Sequence, residues 1–422
     1  MEVREPSAKY LAGSAYRQTD VGLIPGDWDV VSAIDACVKI QDGTHFSPKI
    51  GGAAYLYVTS KNIRFGYLDL SNADSIDAIQ HDAIYRRCDV KHGDLLLTKD
   101  GANTGNAAIN TVREEFSLLS SVAFLRFDLQ RYSAGYFLQQ VLSQFGQRRI
   151  QDAMSGNAIT RLTLEKIRKL RFPVPPNLAE QQAIAEALSD ADALIEALEQ
   201  LLAKKRQIKQ GAMQELLTGQ KRLPGFAGEW EVKRLGELAI IQRGASPRPI
   251  DSPVWFDENS AVGWVRISDV TQAGMYLTET TQRLSAQGIH NSRPVANGSL
   301  IMSICATVGK PVITKIDTCI HDGFVVFDRL NADQMFLYYT LSCIEGDWSR
   351  HGQTGSQMNL NTALINSTEV PVPPTVEEQT AIATLLSDMD AELATLEDKL
   401  AKARDLKQGM MQELLTGRIR LV

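Results

Sequence analysis

Residues 173–219 read PVPPNLAEQQAIAEALSDADALIEALEQLLAKKRQIKQGAMQELLTG, and residues 371–417 read PVPPTVEEQTAIATLLSDMDAELATLEDKLAKARDLKQGMMQELLTG. The two stretches align without a gap, so the chain contains an internal repeat. Such a repeat indicates how the chain is divided into segments. We expect four segments along the chain, two unlike modules and two copies of the repeat: 1–172, 173–222, 223–370 and 371–422.

Each copy carries the start and stop signals of one long helix. In the first copy, Pro175 and Pro176 prevent an earlier start, because proline lacks an N–H and restricts the residue before it. Asn177 and Glu180 have the spacing of a capping box, in which the two side chains satisfy free N–H groups. Gly219 suits a left-handed C-terminal cap. The second copy carries the same signals at Pro373, Pro374, Thr375, Glu378 and Gly417.

The apolar residues between these signals are spaced as in a coiled coil. The first seam is Ile184, Leu188, Ala191, Ile195, Leu198 and Leu202, and the second is Ile382, Leu386, Met389, Leu393, Leu396, Leu400 and Ala403. Lys205 stands where the second copy has Ala403, so the first seam weakens there. Helices of about 40 residues would be roughly 60 Å long. We predict an α+β chain, in which two α+β domains alternate with two long helices that form an antiparallel coiled coil with pseudo-twofold symmetry.

The polar faces of the two copies match as well as the apolar ones. A coiled-coil core requires apolar residues on one stripe only, so matching outer faces favour the docking of the same external partner twice. The candidates for this docking are Glu180, Gln181, Met213 and Leu216 in the first copy, and Glu378, Gln379, Met411 and Leu414 in the second. The modules repeat more weakly: Ile24-Pro25-Gly26 and Trp28 are matched by Leu223-Pro224-Gly225 and Trp230.

The amino-acid composition is that of a globular protein without membrane-spanning segments. Hydrophobic residues make up 44% of the 422 residues, which is an ordinary globular balance. No apolar run approaches the roughly 20 residues that span a bilayer, and the first residues lack the apolar core of a signal peptide. We therefore expect a cytoplasmic protein without a membrane partner. The five cysteines include no CxxC pair, so we expect free thiols and no metal site.

The net charge of −6 is unusual for a protein that binds nucleic acid. The four segments carry +2, −1, −4 and −3 in chain order, so none is a basic patch. Because phosphate neutralisation provides much of the affinity of proteins for DNA, we expect another molecule to supply part of the positive charge if this chain binds DNA.

The repeat carries the motifs of a known family. The helix-opening pattern runs from Pro173 to Gln181 and again from Pro371 to Gln379, and Gln-Glu-Leu-Leu-Thr-Gly closes both copies. With these motifs the chain resembles, from about residue 20 onward, the specificity subunits of type I restriction-modification systems.

This resemblance implies that each module is a target-recognition domain for one half of a bipartite site in double-stranded DNA. It implies that the paired helices fix the gap between the halves, and that the helical regions bind two methyltransferase subunits, which motor-nuclease subunits join. The partners would use S-adenosylmethionine, ATP and magnesium. The present chain would hold no cofactor, metal or catalytic residue.

Two other functions stay open from the residues alone. A fragment of a fused restriction endonuclease-methyltransferase would require a catalytic motif, but the sequence contains neither Asn-Pro-Pro-Tyr nor Asp-Pro-Pro-Tyr. A coiled-coil scaffold without DNA binding would require only the two apolar seams of the long helices.

Base-specific contacts come from side chains at groove edges. Polar loops rich in Arg, Lys, Asn, Ser and Thr are therefore the candidate DNA-binding segments, including 155–161 and 353–361. In the first module the candidate residues are Lys61, Asn62, Lys99, Asn103, Thr104 and Arg161. In the second they are Arg243, Ser246, Arg248, Arg266, Ser268 and Lys310.

Overall fold

A computed structural model describes residues 16–154, 161–348 and 360–421. The chain forms two compact units: unit 1 comprises Met1–Glu199 and Lys399–Val422, and unit 2 comprises Gln200–Asp398. Each unit therefore contains one of the two modules and part of both repeat copies. The division at residues 172, 222 and 370 remains a prediction about segments along the chain.

Unit 1 contains eleven strands among its described residues: β1 (Tyr16–Thr19), β2 (Gly22–Pro25), β3 (Asp29–Ser32), β4 (Cys37–Asp42), β5 (Tyr55–Val58), β6 (Asp74–Ile76), β7 (Leu95–Thr98), β8 (Ala107–Ile109), β9 (Ser117–Leu118), β10 (Val122–Phe127) and β11 (Arg171–Val174). Its shorter helices are α1 (Ala33–Ala36), α2 (Ala78–Tyr85), α3 (Ala134–Leu142), α4 (Gln144–Met154) and α5 (Leu164–Arg168). The first long helix, α6 (Leu178–Leu217), begins in this unit.

Unit 2 contains another eleven strands among its described residues: β12 (Glu231–Arg234), β13 (Ile240–Arg243), β14 (Gly263–Val265), β15 (Tyr276–Leu277), β16 (Gln282–Arg283), β17 (Arg293–Val295), β18 (Leu300–Ser303), β19 (Pro311–Thr314), β20 (Thr318–Ile320), β21 (Phe324–Asp328) and β22 (Glu369–Val372). Its shorter helices are α7 (Leu235–Leu238), α8 (Ile267–Gln272), α9 (Ala286–His290), α10 (Gln334–Cys343) and α11 (Thr362–Ser367), with 3-10 turns at Pro253–Trp255 and Glu345–Asp347. The second long helix, α12 (Val376–Leu414), begins here.

The main sheets of the two units have matching strand orders. Unit 1 has the order β4-β10-β7-β8 and unit 2 the order β13-β21-β18-β19-β15, and a short antiparallel pair, β3 with β11 or β12 with β22, precedes each long helix. Strand β7 is buried on both faces: Leu95 and Leu97 pack in one cluster and Leu96 in another. Because alternate strand residues point to opposite faces, the sheet lies between two apolar cores, which explains the continuous apolar run at 95–97.

Both long helices pack into the cores of the units. In unit 1, Ile184 and Leu188 near the start of α6 share a core with Leu414 and Leu415 at the end of α12. In unit 2, the relation is reversed: Met213, Leu216 and Leu217 at the end of α6 share a core with Ile382, Ala383 and Leu386 near the start of α12. Within each unit the two helices therefore run antiparallel, as predicted.

Ion pairs flank the seams of these helices. In unit 1, Lys407 pairs with Asp192, and in unit 2, Lys209 pairs with Asp390. Lys205, at which the first seam was expected to weaken, is half-buried and places its amine 2.7 Å from Glu392. The lysine thus extends the pairing with a charge contact in place of an apolar one.

The predicted helix caps are confirmed, except for the glutamates. Asn177 Oδ1 accepts a hydrogen bond from the Ala179 N–H at 2.9 Å, and Gly219 and Gly417 have φ of +73° and +71°. The capping-box role of Glu180 and Glu378 is wrong, because both carboxylates point into the protein and bind arginines. A capping box and a buried ion pair require the same residue type at the same spacing, so the pattern alone could not separate them.

Each of these glutamates pairs with the arginine that follows the other long helix. In unit 1, both carboxylate oxygens of Glu180 accept hydrogen bonds from Arg420, which also binds Asp27 at 3.0 Å and lies over the Trp28 ring at 5.7 Å. In unit 2, both oxygens of Glu378 accept from Arg222.

The tryptophan beneath the arginine recurs as well, because Arg222 lies over the Trp230 ring at 5.9 Å. The two glutamate side chains are each 1% exposed. The same Glu–Arg–Trp arrangement thus closes both units, and it explains why the weak repeat in the modules includes a tryptophan.

The glutamine after each glutamate attaches the long helix to a shorter one. Gln181 Oε1 accepts from the Ser133 N–H at 2.9 Å, and Gln379 Oε1 accepts from the Asp333 N–H at 2.8 Å. Ser133 and Asp333 are the N-cap residues of α3 and α10. Each glutamine therefore fixes its long helix to the N-terminus of the equivalent helix of its unit.

These contacts give the expected docking residues a role inside the chain. Among them only Met411 is half-buried, and the other seven are buried: Glu180, Gln181, Met213, Leu216, Glu378, Gln379 and Leu414. Their recurrence is therefore explained by repeated packing within the chain. A partner that docks on these helices must use the other, exposed faces.

Substitution of Glu180 tests the importance of the buried pair. We expect Glu180→Gln to lower the free energy of unfolding by about 3 kcal/mol, because Arg420 loses the buried charge that compensates its own. Glu180→Met with Arg420→Met should restore much of the loss, since neither charge remains. Urea unfolding followed by circular dichroism measures both changes.

Glu165→Gln is the matched control, because Glu165 pairs with Lys169 at a site where the side chains are 76% and 74% exposed. This variant should unfold like the wild type. Equal effects of Glu180→Gln and Glu165→Gln would show that the buried pair contributes no more to stability than an exposed pair does.

Candidate nucleic-acid interface

One edge of unit 1 is built from four polar segments, 43–46, 99–106, 119–121 and 161–162, which main-chain hydrogen bonds hold together. The Thr44 N–H donates to the Leu118 carbonyl at 2.8 Å, and the Ser120 N–H donates to the Thr44 carbonyl at 2.8 Å. The Lys99 N–H donates to the Ser121 carbonyl at 2.8 Å, and the Leu162 N–H to the Lys99 carbonyl at 3.2 Å. We call this surface the four-loop edge of unit 1.

Unit 2 has the same backbone arrangement at 244–248, 304–310, 321–323 and 360–361, the four-loop edge of unit 2. The Ala245 N–H donates to the Ile320 carbonyl at 3.1 Å, the Ile304 N–H to the Gly323 carbonyl at 2.9 Å, and the Leu360 N–H to the Ile304 carbonyl at 2.9 Å. Three of the four bonds named in unit 1 thus have a counterpart in unit 2. The two edges therefore share one backbone frame.

A glycine makes the frame possible in each unit. A Cβ on Gly43 would lie 2.0 Å from the Leu118 carbonyl oxygen, and one on Gly244 would lie 2.1 Å from the His321 carbonyl oxygen. No side chain fits at such distances, so the first loop of each edge requires glycine to approach its neighbour.

The side chains on the edge of unit 1 form a neutralised network. The Lys99 amine lies 3.2 Å from Asp42 and 3.2 Å from Asp100, and only 3% of this lysine is exposed. Arg161 binds Asp100 through two hydrogen bonds of 2.7 and 3.0 Å. Partial burial disfavours the charged form of Asp100, but the bonds from Arg161 and the charge of Lys99 outweigh it and hold the pKa of Asp100 below its usual value.

The side chains on the edge of unit 2 are arginines gathered around one aspartate. Arg243 Nε donates to the Asp322 carbonyl at 2.7 Å, Ser246 donates to Asp322 Oδ1 at 2.6 Å, and Arg248 lies 3.4 Å from Asp322 Oδ2. The hydrogen bond from Ser246 is the main cause that holds the pKa of Asp322 below its usual value. The Arg248 side chain is 71% exposed, so most of its guanidinium is open to a ligand.

The structure thus brings together three predicted residues, Arg243, Ser246 and Arg248, and separately the pair Lys99 and Arg161. Three acidic residues complete these clusters. Asp42 and Asp100 lie in the predicted polar loops 42–47 and 99–106 without being named as candidate residues, and Asp322 lies outside the predicted loops. Asp42 and Lys99, and likewise Arg248 and Asp322, are far apart in the sequence, so only the fold brings these partners together.

Several other predicted residues support the fold with their side chains. Asn62 is buried, accepts from the Thr59 N–H at 3.0 Å and donates to the Asp69 carbonyl at 3.1 Å. The Lys310 amine donates to the Thr271 and Ala273 carbonyls at 2.9 Å each, at the end of α8. Thr104 donates to the Gly101 carbonyl at 2.7 Å.

The remaining candidates are more accessible. Asn103 and Ser268 are exposed, Lys61 forms an exposed ion pair with Asp74 at 2.7 Å, and Arg266 is the half-buried residue that precedes α8. Of the predicted polar loops, residues 155–160 and 353–359 lie outside the described residues.

The described residues contain neither a cluster of metal-binding side chains nor a membrane-spanning helix. Across 16–154, 161–348 and 360–421, no three His, Cys, Asp or Glu side chains lie together as a metal ion would require. In the same part of the chain, no helix combines the length and the apolar character that a membrane span needs.

The family model and similar proteins that match this chain describe type I restriction-modification specificity subunits. The family described as "Type I restriction modification DNA specificity domain" matches residues 80–210 and 227–403. The chain is 24% identical over 428 residues to the putative type I restriction enzyme MjaX specificity subunit of Methanocaldococcus jannaschii, covering 96% of this chain and 97% of that one. It is 23% identical over 429 residues to the MjaVIII specificity subunit of the same organism, covering 94% of each.

Solved structures share the fold. The S subunit of a type I restriction-modification system from M. genitalium superposes with a TM-score of 0.59 at 16% identity, over 92% of this chain and 96% of that one. A chain from a study of complex assembly and conformational transition in a type I system gives a TM-score of 0.55 at 17% identity, over 93% and 99% of the two chains.

Removal of one cation should change the free energy of unfolding more at the edge of unit 1 than at the edge of unit 2. We expect Lys99→Met to lower the free energy of unfolding by about 3 kcal/mol, because it leaves the buried Asp42 carboxylate without its lysine. Arg248→Ala should change it by less than about 0.5 kcal/mol, because an exposed ion pair contributes little. Urea unfolding of the two purified variants measures this. Equal losses would show that Lys99 has no special structural role.

Proposed function

Because the chain belongs to the type I restriction-modification DNA specificity family, we propose that each unit reads one half of a bipartite sequence in double-stranded DNA. The observation that carries this proposal is the pair of four-loop edges, which share a backbone frame and differ in nearly all their side chains. A common frame presents the side chains of both units to the same kind of ligand. Different side chains select different bases.

In unit 2, the exposed arginines are the base-reading groups. Arginine binds guanine through two hydrogen bonds in the major groove, and the Arg248 guanidinium is held by a single contact of 3.4 Å to Asp322. That contact orients the side chain and is exchanged for the base at little cost, because exposed ion pairs are weak. Ser246 keeps Asp322 in place during the exchange.

In unit 1, the reading groups are Asn103 and the outer part of Arg161, with Lys99 as a support. The buried Lys99 holds Asp42 and Asp100 together, and Asp100 in turn fixes the planar Arg161 guanidinium. A guanidinium with a fixed orientation loses less conformational entropy when it binds a base. Lys99 therefore acts through Arg161, and it does not contact DNA.

The chain itself is proposed to be non-catalytic and to work in the cytoplasm within a larger complex. Two methyltransferase subunits dock on the exposed faces of α6 and α12, and motor-nuclease subunits join them. These partners bind S-adenosylmethionine, ATP and magnesium, and they supply the positive charge that a chain of net charge −6 lacks. Since both long helices contribute to both units, they fix the gap between the two halves of the target.

Exchange of one module tests the assignment of one half-site to each unit. Replacement of residues 20–172 by the matching module of another family member should change one half of the methylated sequence and leave the other half intact. Sequencing of methylated adenines in the genomes of cells with and without the exchange measures this. A change in both halves would contradict the proposal.

Removal of arginines from the edge of unit 2 tests the reading residues. We expect Arg243→Ala with Arg248→Ala to weaken binding of the assembled complex to its target duplex by about tenfold or more, because each bidentate guanine contact contributes roughly 1–3 kcal/mol. Fluorescence anisotropy with a labelled duplex measures the affinity.

Arg234→Ala is the control for these variants, because Arg234 is exposed at the end of β12, on the strand pair that precedes α12. It should leave the affinity unchanged. If it weakens binding as much as the double variant does, the contribution of Arg243 and Arg248 is only general charge.

A further inference from the structure

A tight turn at residues 63–68 exposes two aromatic side chains beside the four-loop edge of unit 1. Ile63 and Leu68 form an antiparallel bridge, and the Arg64 N–H donates to the Tyr67 carbonyl at 2.9 Å. Phe65 and Gly66 form the corner of the turn, where Gly66 has a φ of +100° that other residues rarely adopt. The conformation of the corner is therefore specified by the sequence.

The turn is fixed to its surroundings on two sides. The Gly66 N–H donates to the Ala107 carbonyl at 2.9 Å, and Asn106 Nδ2 donates to the Ile63 carbonyl at 3.2 Å. On the other side, the buried Asn62 joins the chain before the turn to the chain after it, through its bonds to Thr59 and Asp69. Hydrogen bonds within unit 1 thus hold the turn on both sides.

Both aromatic side chains are open to solvent. Phe65 is 52% exposed and Tyr67 is 62% exposed. Large aromatic side chains supply contact area at a low cost in conformational entropy, which is why they are enriched at binding sites. A rigid turn that holds two of them outward has the properties of a preformed contact surface.

The position of the turn identifies the partner. Asn106, which binds the turn, belongs to the 99–106 segment of the four-loop edge, and the neighbouring Ser60 N–H donates to Ser121 Oγ in the 119–121 segment at 3.2 Å. The turn is therefore a direct neighbour of two segments of the edge on which the proposed function places DNA.

Two cations flank the aromatic residues. Lys61 and Arg64 lie 2.7 and 3.4 Å from Asp74 and Asp69, in ion pairs whose cationic side chains are 53% and 45% exposed. Exposed ion pairs contribute little to stability, so both cations can leave their aspartates and bind phosphate groups.

The described residues of unit 2 contain no equivalent of this turn. Strand β5 leads into the turn in unit 1, but the matching strand β14 leads through Arg266 directly into helix α8, Ile267–Gln272. Within the described part of the chain, this aromatic turn therefore occurs only beside the four-loop edge of unit 1.

We propose that Phe65 and Tyr67 enter a groove of the duplex at the half-site read by unit 1 and pack against sugars and base edges. This proposal rests on the proposed function, because it requires DNA on the four-loop edge. The contact adds apolar readout, of the kind that recognises a thymine methyl group, to the polar readout by Arg161 and Asn103. Only one of the two half-sites has this contribution.

The test uses the complex assembled with its methyltransferase partners and three duplexes: the target found by methylation mapping, and two derivatives in which one half-site is scrambled. For Phe65→Ala with Tyr67→Ala we expect affinity for the target to fall on the order of tenfold. The fall should persist when the unit 2 half is scrambled and vanish when the unit 1 half is scrambled. Fluorescence anisotropy measures all three affinities.

Two variants complete the design. Tyr67→Phe keeps the ring and should bind like the wild type. Leu129→Ala removes an exposed side chain, 66% exposed, that follows the opposite end of β10 from the four-loop edge, and it should also bind like the wild type.

The outcomes separate the two proposals. If the wild-type complex does not distinguish the target from the scrambled duplexes, the proposed function fails. If it does, but the double variant binds the target within twofold of the wild type, only the aromatic contact is refuted. An equal loss on all three duplexes, or loss of the methyltransferase subunits during purification of the variant, would also refute it.

Discussion

The buried pairing of a glutamate with an arginine from the far end of the other long helix holds each unit together. Glu180 opens α6 and binds Arg420, which follows α12, while Glu378 opens α12 and binds Arg222, which follows α6. A charge buried at 1% exposure is tolerated only with a partner of good geometry. The start of one helix can therefore be in place only if the end of the other is in place as well.

The four-loop edges are held by a different kind of interaction. Their frame consists of main-chain hydrogen bonds and of one glycine per edge, Gly43 or Gly244, which admits no side chain. Main-chain groups therefore supply the frame that the two edges share, although single side chains such as Lys99 and Lys310 also support it. One unit has a lysine neutralised by two aspartates, and the other has arginines around a single aspartate. The shared backbone frame thus carries different charged side chains in the two units.

The repeat predicted the long helices well, because periodicity and caps are local signals. Their antiparallel pairing and the caps at Asn177, Gly219 and Gly417 are confirmed. The functions of individual polar residues could not be predicted in the same way. Lys99 and Arg248 are both cations in polar loops, yet one is 3% exposed and the other has a side chain that is 71% exposed. That difference depends on Asp42, which is distant in sequence and becomes a neighbour only through the β4–β10–β7 sheet.

The same distribution of charge explains how an acidic chain can recognise DNA. Arg420 and Arg222 are bound to carboxylates of the helix starts, and Lys99 is bound to two aspartates, so these cations contribute nothing to phosphate attraction. The cations that remain exposed on the edges are few, and they are held in fixed orientations by single aspartates. A few cations with fixed orientations are suited to distinguishing bases. Strong attraction to the DNA backbone requires many cations. The exposed cations of this chain are therefore better suited to distinguishing bases than to attracting the DNA backbone.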